Sequence, residues 1–244
     1  MPKVADVFNL MDCWRHLPDY QLERRADIFF AIYMKEIIEA ATDALIDPVI
    51  VPEFPLRRGL IRPAEPAPNM SVKVDYALFA ADRSRVFFVE LKTAQRSRCA
   101  EQDRNLNRAR ELGFRKLVQG IVEIAQNSDR YGSYHHLLHM LEGLGFLSLP
   151  AGIESLVYGQ SRRGLAARLQ DVQVAAGDPP IDVFYVQPRS EGDERCIGFD
   201  AVARIVEQHD DELSRTFAAC LRRWDKDAAI SPPVEQTYSV ATVE

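Results

Sequence analysis

Asp75, Glu90 and Lys92 place two carboxylates and an ammonium within one short stretch of a 244-residue chain. Such a set has two chemistries open to it. The acids offer hard oxygen ligands that suit Mg²⁺ better than zinc, and the ion would keep several waters and take its remaining ligands from a phosphate. Alternatively, Lys73, Asp75, Glu90 and Lys92 form a diagonal ion-pair quartet at the wet end of a sheet, with no metal and no reaction. Backbone register bears on the choice. Folding Ser71 to Lys92 about its turn-like break, Ala81-Asp82-Arg83-Ser84, makes residues whose numbers sum to 165 face each other. Asp75 then lies opposite Glu90 with Cβ atoms about 5 Å apart, where like charges repel unless a cation or a shared proton sits between them.

The alternation of strands puts Phe79, Val86, Ala77 and Phe88 on the face of the two acids, and Leu78, Phe87, Tyr76, Val89, Val74 and Leu91 on the other. The segment Arg85 to Lys92 is apolar on both faces until its last three residues, which predicts a central strand with helices packed on each side. Ionised groups at the end of such a strand are costly to desolvate unless they coordinate a metal or pair with each other.

Around this hairpin, Tyr20 to Asp43 has the period of an amphipathic helix, with Leu22, Ala26, Phe29, Tyr33, Ile37 and Ala40 on one stripe. Val49 to Leu56, interrupted by prolines, predicts an edge or irregular strand, and the proline-rich stretch 62–69 a loop. Cys99 to Leu112 and Phe114 to Asn127 read as helices broken at Gly113. Tyr134 to Leu144 is a short helix ended by Gly145, and Ile153 to Leu169 a weaker one interrupted by Gly159 and Gly164. Ile181 to Val186 is a strand, Arg195 to Phe199 a short one, and Ala201 to Trp224 a single closing helix.

Val74-Asp75 followed by Glu90-Leu91-Lys92 resembles the signature of the PD-(D/E)XK nuclease superfamily, which includes restriction endonucleases, Holliday-junction resolvases and RecB-type nucleases; Val74 stands where the family name has proline. The resemblance implies an α/β restriction-endonuclease-like core, a central mixed sheet flanked by helices, with additional C-terminal helices. It implies a core at 20–127 plus the strand at 181–186; with no composition break to divide the chain, the sequence reads as one domain over residues 1–230, and the paired prolines after Ser231 predict a disordered tail at 231–244. It further implies Mg²⁺, with Mn²⁺ as a substitute, held by Asp75 and Glu90, with Lys92 catalytic and the chain hydrolysing phosphodiester bonds of DNA in defence or repair. Resolvases often carry another metal-linked glutamate in a Glu-Arg context; Glu23-Arg24 is similar, with Glu36 on the same helix as the alternative. The competing reading is a catalytically inactive scaffold of this fold that binds nucleic acid or a protein partner. RNA as substrate is not distinguished from DNA, and a homodimer or partner protein accords with cutting two strands.

The net charge of −6 argues against wholesale coating of nucleic acid, but the charge is segregated. Residues 92–116 hold eight Lys or Arg against three acids, whereas 191–244 hold twelve acids against six bases. Arg96, Arg98, Arg104 and Arg108 are therefore candidate phosphate contacts, with binding that falls steeply with salt, and Gln102 and Gln119 are candidate polar contacts to substrate. A solvated helix face is the plain alternative for each. His135, His136 and His139 have metal-binding spacing without the glutamate of HExxH, and read as half-buried helix residues. Four separated cysteines, no apolar run of membrane length and an opening Met1-Pro2-Lys3-Val4-Ala5-Asp6 without a signal-peptide core predict a cytoplasmic protein. No GxSxG elbow or P-loop supports an esterase or NTPase.

Overall fold

The computed structural model describes residues 3–94, 98–158, 162–190 and 192–230. The expected tail at 231–244, Gly159 and the candidate Arg96 lie outside them. The described chain opens with α1 (Val4–Trp14), which the sequence reading does not include, and continues with α2 (Leu22–Thr42), β1 (Val51–Arg57) and the single turn α3 (Arg58–Ile61). The hairpin β2 (Ser71–Phe79) and β3 (Val86–Leu91) leads to α4 (Ala100–Leu112), α5 (Phe114–Asn127) and α6 (Tyr131–Gly143). A two-stranded sheet of β4 (Leu147–Ser148) and β5 (Gln173–Val174) brackets α7 (Ile153–Tyr158) and α8 (Arg162–Arg168). The chain closes through β6 (Ile181–Gln187), β7 (Cys196–Gly198), α9 (Phe199–Val206) and α10 (Glu212–Ile230).

The main sheet has the order β1-β2-β3-β6-β7. Its first three strands are antiparallel and its last three parallel, so the architecture is α/β with a mixed sheet flanked by helices. β3 is central, as its apolar sequence predicts, and β1 with its two prolines is at the edge. One face of the sheet packs Phe79, Phe88 and Val183 against Leu106, Leu117, Ile121 and Leu141 of α4 to α6. The other packs Leu78, Phe87 and Val186 against α1, α2, α9 and α10 through Phe8, Phe30, Phe199 and Phe217. The N- and C-terminal helices thus share one layer, and every side chain of β3 from Val86 to Leu91 is buried.

The hairpin register is the one the sequence predicts, with Tyr76 opposite Val89 and Phe79 opposite Val86. Its turn is set by Asp82, which accepts hydrogen bonds from the Ser84 amide at 3.0 Å and hydroxyl at 2.6 Å. Past Tyr76 the alternation breaks: Val74, expected on the face of Leu78, joins the face of Phe79. The break faces Glu53 of β1, whose φ of +50° is the left-handed region.

Three further differences have local causes. The closing helix is two helices, because Asp211 caps α10 by accepting the Ser214 amide at 2.9 Å and its hydroxyl at 2.5 Å. Gly164 lies within α8 and does not interrupt it. On α2 the buried stripe includes Phe30, Met34 and Ile38, while Ala40 is exposed, because the helix meets both the sheet and α9.

Candidate active site

Glu90 and Lys92 end the central strand, and the Lys92 amide still bonds the Val186 carbonyl of β6 at 2.8 Å. Both side chains are buried, Glu90 at 0 % and Lys92 at 3 % exposure. The Lys92 ammonium is the hub of the site. Its Nζ lies 3.1 Å from Glu90 Oε2, 2.9 Å from the Leu91 carbonyl, 3.7 Å from Asp75 Oδ2 and 4.0 Å from Glu23 Oε1. Asp75 reaches this point beside the break in β2, where its carboxylate accepts the Leu91 amide at 2.8 Å. Asp75 and Glu90 therefore converge on one ammonium, although the ladder that was expected to pair them ends at Tyr76 and Val89.

Lys73, the fourth member of the expected quartet, is instead exposed on β1's side, paired with Glu53 at 2.6 Å. Glu23 takes its place. On the same helix Glu36 bonds His209 at 2.7 Å, so the choice between the two glutamates falls on Glu23.

The charges do not balance. Three carboxylates surround one ammonium. Burial and then Asp75 push the Glu90 carboxyl up to about 8, against the opposing pull of Lys92. Burial, with Asp75, also raises Glu23, and Lys92 and the Thr93 amide offset part of it. Burial opposes the charge on Lys92, but Glu90, Asp75 and Glu23 outweigh it and hold the ammonium above its ordinary range. Glu90 Oε1 is buried with no hydrogen-bond partner, a lone acceptor that a divalent cation would satisfy while neutralising the excess charge. Among the described residues no three or more His, Cys, Asp or Glu side chains close into a metal cluster. The fit is to a hard cation that keeps part of its water shell, with Asp75 and Glu90 as side-chain donors.

The other oxygen of Glu90 is held by Gln102 Nε2 of α4, so one of the two candidate glutamines belongs to the site. The next residue, Asp103, accepts the Tyr185 hydroxyl at 2.5 Å and the Arg98 guanidinium at 3.2 Å. Tyr185 stands opposite Glu90 in the parallel pairing of β3 with β6. Arg98 lies over its ring, 4.1 Å from the centroid, and also bonds Asp193 at 3.4 Å. Arg98, expected to meet phosphate, is thus a clamp that ties the start of α4 to the sheet. Sequence reasoning missed Asp103, Tyr185 and Asp193, since Tyr185 reads as one more residue of an apolar strand.

The remaining candidates divide. Arg104 is exposed and has no partner among the described residues, whereas Arg108 pairs with Glu111 one turn on at 3.1 Å. Gln119 is not brought to the carboxylates. It lies on the exposed side of α5, in an open groove with Arg115, Gln126, Gln170 and Gln173, because Leu117, Val118 and Ile121 turn the other side of the helix to the core. His135 is buried to 3 % exposure, while His139 sits between Glu142 at 3.2 Å and Glu154 at 3.5 Å. Comparison of the chain with protein-family models, with curated proteins and with solved structures finds no match.

Proposed function

We propose that this chain is a magnesium-dependent nuclease of the PD-(D/E)XK kind, with a restriction-endonuclease-like core, that hydrolyses phosphodiester bonds of DNA. The observation that carries the reading is the buried, unpaired oxygen of Glu90 beside Asp75 and a buried ammonium. A structural ion-pair cluster gains nothing from a further buried carboxyl, whereas a divalent cation bound there would hold Glu90 ionised and satisfy its free oxygen. Asp75 and Glu90 would hold the cation. When bound, Mg²⁺ would polarise the scissile phosphate and make a bound water acidic enough to attack near neutral pH.

The rest of the work falls to the chain's own groups. Lys92 keeps its proton at Nζ, since the surrounding carboxylates raise its pKa, so it acts as a hydrogen-bond donor and fixed cation and not as a base. It orients the attacking water and opposes charge that grows on the phosphate, a task in which a preorganised group outperforms solvent. The Leu91 amide fixes one oxygen of Asp75, and Gln102 with Lys92 fixes one oxygen of Glu90, leaving Oε1 for the ion. Glu23 lies at the rim of the site, where it adds negative charge and borders the substrate's approach.

The test is incubation of the purified chain with supercoiled, linear and single-stranded DNA in Mn²⁺, in Mg²⁺ and in EDTA. Cleavage that needs the metal, and that falls by at least about a hundredfold in Asp75→Ala and Lys92→Ala with folding retained by circular dichroism, is the expected result. Full cleavage by Asp75→Ala would remove the assignment. Inertness of the wild type on every substrate, with no Mn²⁺ binding by calorimetry, would favour the noncatalytic scaffold.

A further inference from the structure

α2 begins at the rim of the carboxylate pocket. Its first turn carries Glu23, 4.0 Å from Lys92 Nζ, followed by Arg24 and Arg25, which are exposed and have no hydrogen-bond or ion-pair partner among the described residues. Tyr20 precedes Glu23 by three residues, so their Cα atoms are at most about 11 Å apart. Its ring meets that of Trp14, the last residue of α1, edge-on with centroids 6.1 Å apart. Trp14 is 44 % exposed, whereas Trp224, the only other tryptophan, is 1 % exposed.

The end of α10 completes this lip. Asp12 of α1 accepts the Trp224 indole at 2.5 Å and Arg223 at 2.7 Å, and Arg15 pairs with Asp227. Lys226, between them in sequence, is exposed and has no partner among the described residues. The neighbouring acids are already occupied, Asp225 by Arg189 at 3.8 Å and Asp227 by Arg15, which leaves exposed Asp19 as the acid between Trp14 and Glu23. Exposed Trp14, against half-buried Tyr20, thus lies on the segment that leads into Glu23, with exposed Arg24 and Arg25 on the turn that follows and exposed Lys226 on the helix packed against α1.

Cations meet phosphates on any nucleic acid, but an aromatic face stacks only on a base that is not already stacked in a duplex. On the nuclease reading, on which this step rests, we propose that the strand delivered to Asp75, Glu90 and Lys92 is single-stranded DNA, with a base stacked on Trp14 and flanking phosphates held by Arg24, Arg25 and Lys226.

The full chain in EDTA is titrated with oligo(dT) and with a duplex of equal length, by tryptophan fluorescence and by anisotropy. Oligo(dT) is expected to quench the exposed Trp14 while Trp224 stays shielded. Trp14→Ala should weaken oligo(dT) binding at least about tenfold with little change for the duplex, and Trp14→Phe should keep most of the affinity. Absence of quenching, equal affinity of Trp14→Ala and wild type, or a change of oligomeric state in Trp14→Ala without loss of DNA affinity would overturn the inference. Because EDTA stops cleavage, the two readings fail separately. Trp14-dependent oligo(dT) binding by a protein that cuts nothing sinks the nuclease alone. Metal-dependent cutting that is indifferent to Trp14 sinks the stacking site alone.

Discussion

Glu90 is the residue at which stability and the proposed function pull apart. Its carboxyl is pushed up to about 8 in the metal-free protein, by burial first and Asp75 second. A folded-state pKa above the ordinary value of 4.5 means that its stabilising contribution is complete below about pH 4.5 and is lost as the pH rises through about 8. Glu90→Gln removes the ionisation while keeping a side chain that can accept from Lys92. In EDTA, above about pH 8, the variant is expected to melt higher than wild type, by roughly 2–4 °C for each kcal/mol recovered. Below about pH 4.5 the two should converge. Thermal melts across this range check the prediction, and a variant that melts lower than wild type at high pH would contradict it. A buried acid that destabilises its own fold is explained most simply by a ligand that needs it ionised.

At the scale of elements, the path from the site to the rest of the fold runs through α4. Its start is clamped by Arg98 and Asp103 to Tyr185, and its end turns into α5 at Gly113. Gly113 has φ of +82° and ψ of 153°, a conformation essentially restricted to glycine. A Cβ there would lie 2.4 Å from the Asp178 carboxylate, which accepts the Arg115 amide at 2.9 Å and so fixes the start of α5. Gly113→Ala is expected to cost about 1–3 kcal/mol by chemical denaturation, from backbone strain and displacement of Asp178 together. The break at Gly113 was legible in the sequence, since glycine between two periodic segments marks one. The break between α9 and α10 was not, because Asp211 and Ser214 announce a cap only once the intervening turn is known.

For the whole molecule, the distribution of charge matters more than its sum. The basic stretch 92–116 suggests a broad phosphate-binding face, yet Arg98 is held by Asp103 and Asp193 and Arg108 by Glu111. Among the described residues, Arg104 of α4 and Arg24, Arg25 and Lys226 are exposed cations without a hydrogen-bond or ion-pair partner. If these four make the phosphate contacts, the slope of log affinity on log salt for a single strand should be about −3. That is shallower than the steep fall the sequence suggests. Anisotropy titrations of oligo(dT) over a range of salt concentrations measure it, and a slope beyond about −5 would mean that paired arginines open to meet the DNA.

What the sequence determined by itself is local or nearly so. The periods of α2, α4 and α5, the edge position of the proline-bearing strand, the centrality of β3 and the hairpin register all follow from patterns of neighbouring side chains and one short turn. Only the tertiary structure decided which distant groups meet. The parallel pairing of β3 with β6 sets Tyr185 beside Glu90, Asp75 meets the Leu91 amide beside the distortion opposite Glu53, and the packing of α2 brings Glu23 and not Glu36 to Lys92. The physical reason is that side-chain alternation is a property of the backbone and can be read along it. Which carboxylate pairs with which cation depends on contacts between residues far apart in the chain, closed only when the two faces of the sheet are packed.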